Sequence, residues 1–177
     1  MKNYLILFLA VLTLSLTVHG GQGLDIQIKA RKSTSLLTIE YDVFNPTRKN
    51  AYLFDRLPAK ADGAYTPHNE AFCFFENGTL NLLRGVLPLP KSLAVGKYQL
   101  PLARLLAPNQ SLHGKIEIPL PAVEYSPFFA PLKPEEPLTQ NFSKLRLALG
   151  WTALKKGMIP KKVSPGGETL YSIKGVW

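Results

Sequence analysis

Apolar and polar residues alternate strictly along several stretches of the chain. Leu24, Ile26, Ile28 and Ala30 alternate with Asp25, Gln27 and Lys29, and Leu37, Ile39, Tyr41 and Val43 alternate with Thr38, Glu40 and Asp42. The same period returns in Ile116, Ile118 and Leu120, set among Lys115, Glu117 and Pro119. It returns again in Leu145, Leu147, Leu149 and Trp151, set among Lys144, Arg146, Ala148 and Gly150. Successive side chains of an extended chain leave on opposite faces. Each stretch therefore predicts a strand with one face in a core and the other in water, as antiparallel strands have. No window carries a comparably long 3.6-residue period. The best helical candidate is the short stretch Leu102–Leu106, which Pro101 and Pro108 confine.

Turn chemistry divides the strands. Asn45-Pro46-Thr47 predicts the end of the strand that contains Tyr41, because a residue before proline is pushed toward extended geometry. Asn77-Gly78, between AFCFF and TLNLL, is the favoured centre of a type I′ turn and predicts a hairpin. In the two-residue register Phe75 faces Leu80 and Cys73 faces Leu82. Gly166-Gly167 precedes a final run, Thr169 to Trp177. Three Asn-x-Ser/Thr triplets, at Asn77, Asn109 and Asn141, read first as turn residues and only secondarily as glycosylation acceptors.

Ten of the 15 prolines fall between Pro88 and Pro137, a region that predicts edge strands and extended connections because proline donates no ladder hydrogen bond. About eight short strands between turns fit an all-β, antiparallel β-sandwich. The alternating strand that ends in Asn-Pro (residues 37–46), followed later by Leu106-Ala107-Pro108-Asn109-Gln110-Ser111-Leu112 before another alternating strand, is similar to immunoglobulin-like domains of bacterial envelope proteins. The resemblance spans residues 24–121 and implies architecture only. The buried tryptophan and paired cysteines of antibody domains are missing, and no functional residue carries over.

The first twenty residues change the compartment. Lys2 is their only charge, and the apolar-leaning run Tyr4 to Val18 spans ~22 Å as a helix, short of a ~30 Å hydrocarbon core. A charged start, a short apolar run and small residues after it predict a secretory signal peptide over residues 1–20, cleaved after Gly20, with Gly21 and Gly23 as alternative sites and an uncleaved membrane anchor as the competing reading. The expected mature chain, 21–177, is one β-sandwich domain with proline-rich connections (88–137) and a basic C-terminal hairpin (143–177). It is expected in the periplasm or outside the cell, with no transmembrane segment after cleavage.

The formal charge is +9. Export weakens the nucleic-acid reading that such a charge invites, and no nucleic-acid partner is expected. The charge is concentrated: residues 140–177 hold Lys144, Arg146, Lys155, Lys156, Lys161, Lys162 and Lys174 against Glu168 alone. The stretch KKGMIPKKVSPGG, from Lys155 to Gly167, interleaves lysines with Met158, Ile159 and Val163. Pro160, Pro165 and the glycines predict that it lies outside regular ladders. Lys155, Lys156, Lys161 and Lys162 are the candidate contacts to an anionic surface.

Catalytic constellations are scarce. There is no Gly-x-Ser-x-Gly elbow, no His-Glu-x-x-His and no phosphate-cradling glycine loop. His68, Cys73, His113 and a carboxylate are chemically able to hold zinc, but nothing in their spacing predicts it. A single cysteine cannot complete a zinc-deaminase set. Cys73 lies between Phe72 and Phe74 and reads as a small buried hydrophobe. Glu135-Glu136 reads as a solvated loop, and Tyr52, Phe54, Phe72, Phe74 and Phe75 as core rather than a ligand pocket. The expectation is a non-catalytic exported binding or assembly module of the cell envelope. It has no metal or other cofactor, and it contacts a protein partner or an anionic surface. A secreted peptidase inhibitor, presenting the proline-rich 121–137 stretch, and a small metallohydrolase are the alternatives.

Overall fold

The computed structural model describes residues 14–19, 23–61, 64–68, 71–86, 101–124 and 142–175, with backbone alone for 14–19, 58–61, 64–68 and 166. The local signals are met where they were strongest. Asn77 (φ 49°) and Gly78 (φ 71°) both take the left-handed backbone that a type I′ turn requires. They join β6 (Phe72–Glu76) to β7 (Thr79–Arg84) with Cys73 opposite Leu82 and Phe75 opposite Leu80. Asn109 (φ 58°) is also a turn residue. Asn141 and Glu135-Glu136 lie outside the described residues.

Twelve strands and one short 3₁₀ turn make up the described chain. One sheet runs β1 (Leu14–His19), β2 (Asp25–Lys32), β3 (Leu36–Phe44) and then β9 (Ser111–Pro119), antiparallel throughout. The larger sheet has the order β11 (Ile159–Val163), β12 (Leu170–Lys174), β8 (Leu102–Leu106), β4 (Ala51–Ala61), β10 (Lys144–Ala153), β7, β6. The strand β5 (Ala64–His68) pairs with β4 beside that path. The main apolar cluster takes Leu37, Ile39, Tyr41, Val43 and Ile116 from the first sheet and Leu53, Cys73, Leu80, Leu82 and Leu106 from the second. Alternation along β4 puts Tyr52 and Phe54 on the opposite face, where they join Ala103, Ile173, Met158 and Tyr171 in a second cluster. The aromatic group is thus packing: Tyr52 and Phe54 here, Phe72 and Phe74 beside Leu57, and Phe75 against the main core.

Four features differ from the expectation. Leu102–Leu106 is strand β8, not a helix. Five residues between prolines are too short to gain much from helical hydrogen bonds, whereas β4 and β12 flank them on both sides. The large sheet is mixed, because β10 pairs parallel with β7 over residues 144–149 before pairing antiparallel with β4 over 150–153. A parallel pair needs a long crossover, and the chain between β7 and β10, which includes β8 and β9, supplies it. Residues 159–163 do enter a ladder as β11, since Pro160 is tolerated on an outermost strand. The C-terminal hairpin is therefore β11–β12, and β10 lies inside the sheet. Finally, residues 14–19, within the expected leader, form β1 along the edge of β2.

Candidate functional site

The most concentrated polar chemistry lies inside the protein. Along β4 the inward positions Ala51 and Leu53 are followed by Asp55, and along β7 Leu80 and Leu82 are followed by Arg84. Asp55, Arg84 and Tyr41 are fully buried. The Tyr41 hydroxyl donates to Asp55 Oδ2 at 3.1 Å and accepts from Arg84 Nη1 at 2.6 Å. Arg84 Nη2 donates at 2.7 Å to the backbone carbonyl of Lys115 on β9. Arg104, from β8, grips Asp55 through Nε, at 3.0 and 2.8 Å from the two carboxylate oxygens, and through Nη2. Arg56 donates to Asp55 Oδ2 at 3.4 Å and holds Glu168 in a two-pronged pair at 3.0 Å on each side.

These bonds join β3 and β9 of one sheet to β4, β7 and β8 of the other. Burial, and then the Asp55 charge, raise the Tyr41 pKa above 10.0 against the pull of Arg84 and Arg104. The phenol therefore stays a donor. Burial opposes the charge on Arg84 and lowers its pKa, with Tyr41 and Asp55 partly restoring it. Burial opposes Arg104 as well, but the hydrogen bond and charge of Asp55 outweigh it and the net shift is upward. A carboxylate already bound by two guanidinium groups and a phenol, with no side-chain exposure, is poorly placed as a general base. The arrangement works as a clasp between sheets. Its residue types are visible in the sequence as charges at inward parity, after Leu53 and after Leu82, a signal absent from the site residues expected above.

A second knot sits at the end of β3. Asn45, fully buried, donates through Nδ2 to the carbonyls of Lys49 and Leu106, each at 2.9 Å. Its Oδ1 accepts from the Thr47 backbone at 3.0 Å and hydroxyl at 2.7 Å. Its backbone exchanges bonds with the β8–β9 turn, accepting from Asn109 N–H at 2.8 Å and donating to Gln110 at 3.0 Å. The Asn-Pro end of β3 and the stretch 106–112 are thus in direct contact.

The lysines of the C-terminal region lie outside. Lys155 and Lys156 occupy an exposed turn closed by Met158 N–H on the Lys155 carbonyl at 3.0 Å. Lys161 and Lys162 are exposed neighbours on β11, so their side chains leave on opposite faces. Lys174 stands opposite Ile159. Glu168, the one acidic residue of the region, is held by Arg56, which leaves the lysines uncompensated. Three large apolar side chains are exposed between residues 151 and 159: Trp151 (37%), Leu154 (40%) and Ile159 (62%). Met158 instead packs inward beside Tyr52 and Phe54.

Of the zinc candidates, Cys73 and His113 lie on strands of different sheets. Cys73 is buried opposite Leu82, and burial, then Glu124, push its thiol up to about 11. His113 is exposed on β9 with Nδ1 2.9 Å from Asp42. His68 pairs with Leu57 along β5, its side chain outside the described residues. No group of three or more His, Cys, Asp or Glu lies together among the described residues. An apolar cleft of about 500 Å³ opens between the sheets, lined by Ala30, Lys32 and Leu37 of β2 and β3 and by Phe142, Lys144 and Leu145. Compared with known protein families, curated proteins and solved structures, the chain matches none.

Proposed function

We propose that this chain is a non-catalytic exported binding module of the cell envelope, an immunoglobulin-like β-sandwich whose C-terminal lysines contact an anionic surface. The sandwich reading is supported by the core cluster shared between the two sheets and by the contact of Asn45 with residues 106–110. A leader with one positive charge and a short apolar run supports export. The observation that carries the binding role is the exposure of Leu154, Lys155 and Lys156 on the turn before β11 and of Ile159, Lys161 and Lys162 on β11, an outermost strand, with Glu168 engaged by Arg56. Basic side chains near an anionic membrane contribute about 1 kcal/mol each, and adjacent apolar groups add shallow insertion.

The test is co-sedimentation with anionic and with neutral vesicles at 0.01 M and 0.15 M salt, across which the Debye length falls from ~30 Å to ~8 Å. Binding to anionic vesicles is expected to weaken as salt rises. It should disappear when Lys155, Lys156, Lys161 and Lys162 are changed together to Gln. Equal binding of wild type and quadruple variant at low salt would remove this surface from the mechanism.

A further inference from the structure

We propose that removal of the leader opens the edge of β2, and that this edge, with the apolar cleft beside it, takes up an extended segment of a partner protein as an added strand. The proposal rests on the export reading above. Residues 14–19 pair antiparallel with β2 from Leu14 opposite Ala30 to His19 opposite Asp25. Their alternate residues Leu14, Leu16 and Val18 fall in register with Ala30, Ile28 and Ile26, whose side chains are only partly buried and pack on the main core. A segment consumed by export and cut away after Gly20 cannot serve the folded domain. Cleavage leaves β2, eight residues long, with one row of N–H and C=O groups unpaired.

The surroundings of that edge define the occupant. The cleft of about 500 Å³ adjoins Ala30 and Lys32, with the Lys32 ammonium 4.6 Å over the Phe142 ring. Lys29 faces Glu40 across the sheet, but Arg31 faces Thr38 and Lys32 faces Leu37, and no carboxylate lines the cleft among the described residues. Lys144 adds a further positive charge at the rim. The occupant is an antiparallel extended segment with apolar side chains at alternate positions and a carboxylate at its N-terminal end, where it meets Arg31, Lys32 and Lys144. Main-chain bonds then supply affinity, and the alternate side chains supply selectivity. The chain's own residues 14–19 mark the register such a strand adopts.

The experiment expresses the full-length chain with its own leader, recovers it from the envelope fraction and reads its N-terminus by intact mass. The probe is a labelled peptide of two glutamates followed by LSLTVH, the sequence of residues 14–19, titrated by fluorescence anisotropy. Two further peptides carry N-methyl groups on alternate residues, in the two opposite phases. Processed protein is expected to bind the parent peptide. Methylation in one phase should weaken binding by about tenfold or more, because several backbone hydrogen bonds are lost at once, and methylation in the other phase should leave it nearly unchanged. Replacing the glutamates by lysines should also weaken binding at low salt. Processed protein that ignores the parent peptide, or that loses both methylated forms equally, overturns strand addition and leaves export standing. A full-length mass overturns both, since β1 then holds the edge permanently.

Discussion

Tyr41 and Gly114 stand directly opposite one another on β3 and β9, and the tyrosine ring fills the volume that a Cβ at position 114 would occupy. A glycine inside a strand ordinarily weakens it. Here it lets the ring lie flat across β9, so that the phenol reaches Asp55 and Arg84. Gly114→Ala is expected to destabilise the protein by about 2–4 kcal/mol, as overpacking of a buried ring and loss of its hydrogen bonds combine. Denaturant unfolding of the variant checks this. Wild-type stability would show that the ring moves aside freely.

Removal of the Asp55 carboxylate strands the two buried or half-buried guanidinium groups and the Tyr41 hydroxyl. Asp55→Ala is expected to lose about 3–5 kcal/mol, the usual consequence of leaving buried charge uncompensated. Tyr41→Phe should lose about 1–3 kcal/mol, since Arg84 Nη1 then lacks its phenol acceptor. The two losses should be less than additive in the double variant, because both act on one network. Strict additivity in urea unfolding would show that Tyr41 and Asp55 act independently.

Asn45→Ala removes two donated and two accepted side-chain bonds at a fully buried site. A loss of about 2–4 kcal/mol is expected, together with faster amide exchange at Thr47 and in the β8–β9 turn around Asn109. Unchanged exchange at both places would contradict a role for Asn45 in joining them.

The Cys73 thiol is pushed up to about 11 from an ordinary 9.0. A raised pKa means that the unfolded chain releases the proton first. The stabilisation is therefore complete below pH 9 and is lost as pH rises toward 11. The thiol contributes about 2–3 kcal/mol at most. Wild-type stability should begin to fall above pH 9, whereas in Cys73→Ala the fall should begin nearer pH 10, where Tyr41, also raised, starts to titrate in the unfolded chain. Native Cys73 should also react slowly with thiol reagents at pH 8. Rapid native labelling, or identical pH profiles for the two proteins, would refute its burial.

The sequence by itself determined those features whose cause is local. The Asn77-Gly78 turn dictates the register of β6 on β7, and strict alternation marks β2, β3, β9 and β10 as strands. Asn45-Pro46 ends β3, and the flanking aromatics marked Cys73 as buried. Tertiary structure decided the rest. β8 exists because β4 and β12, distant in sequence, offer it hydrogen-bonding partners that outweigh any local helical preference. β10 lies parallel to β7 because the order of strands across a sheet is set by packing, which no local pattern encodes. Asp55 and Arg84 read as ordinary charges on strands. Only the approach of β3, β4, β7, β8 and β9 supplies the partners that make their burial tolerable, and with them the clasp between the sheets.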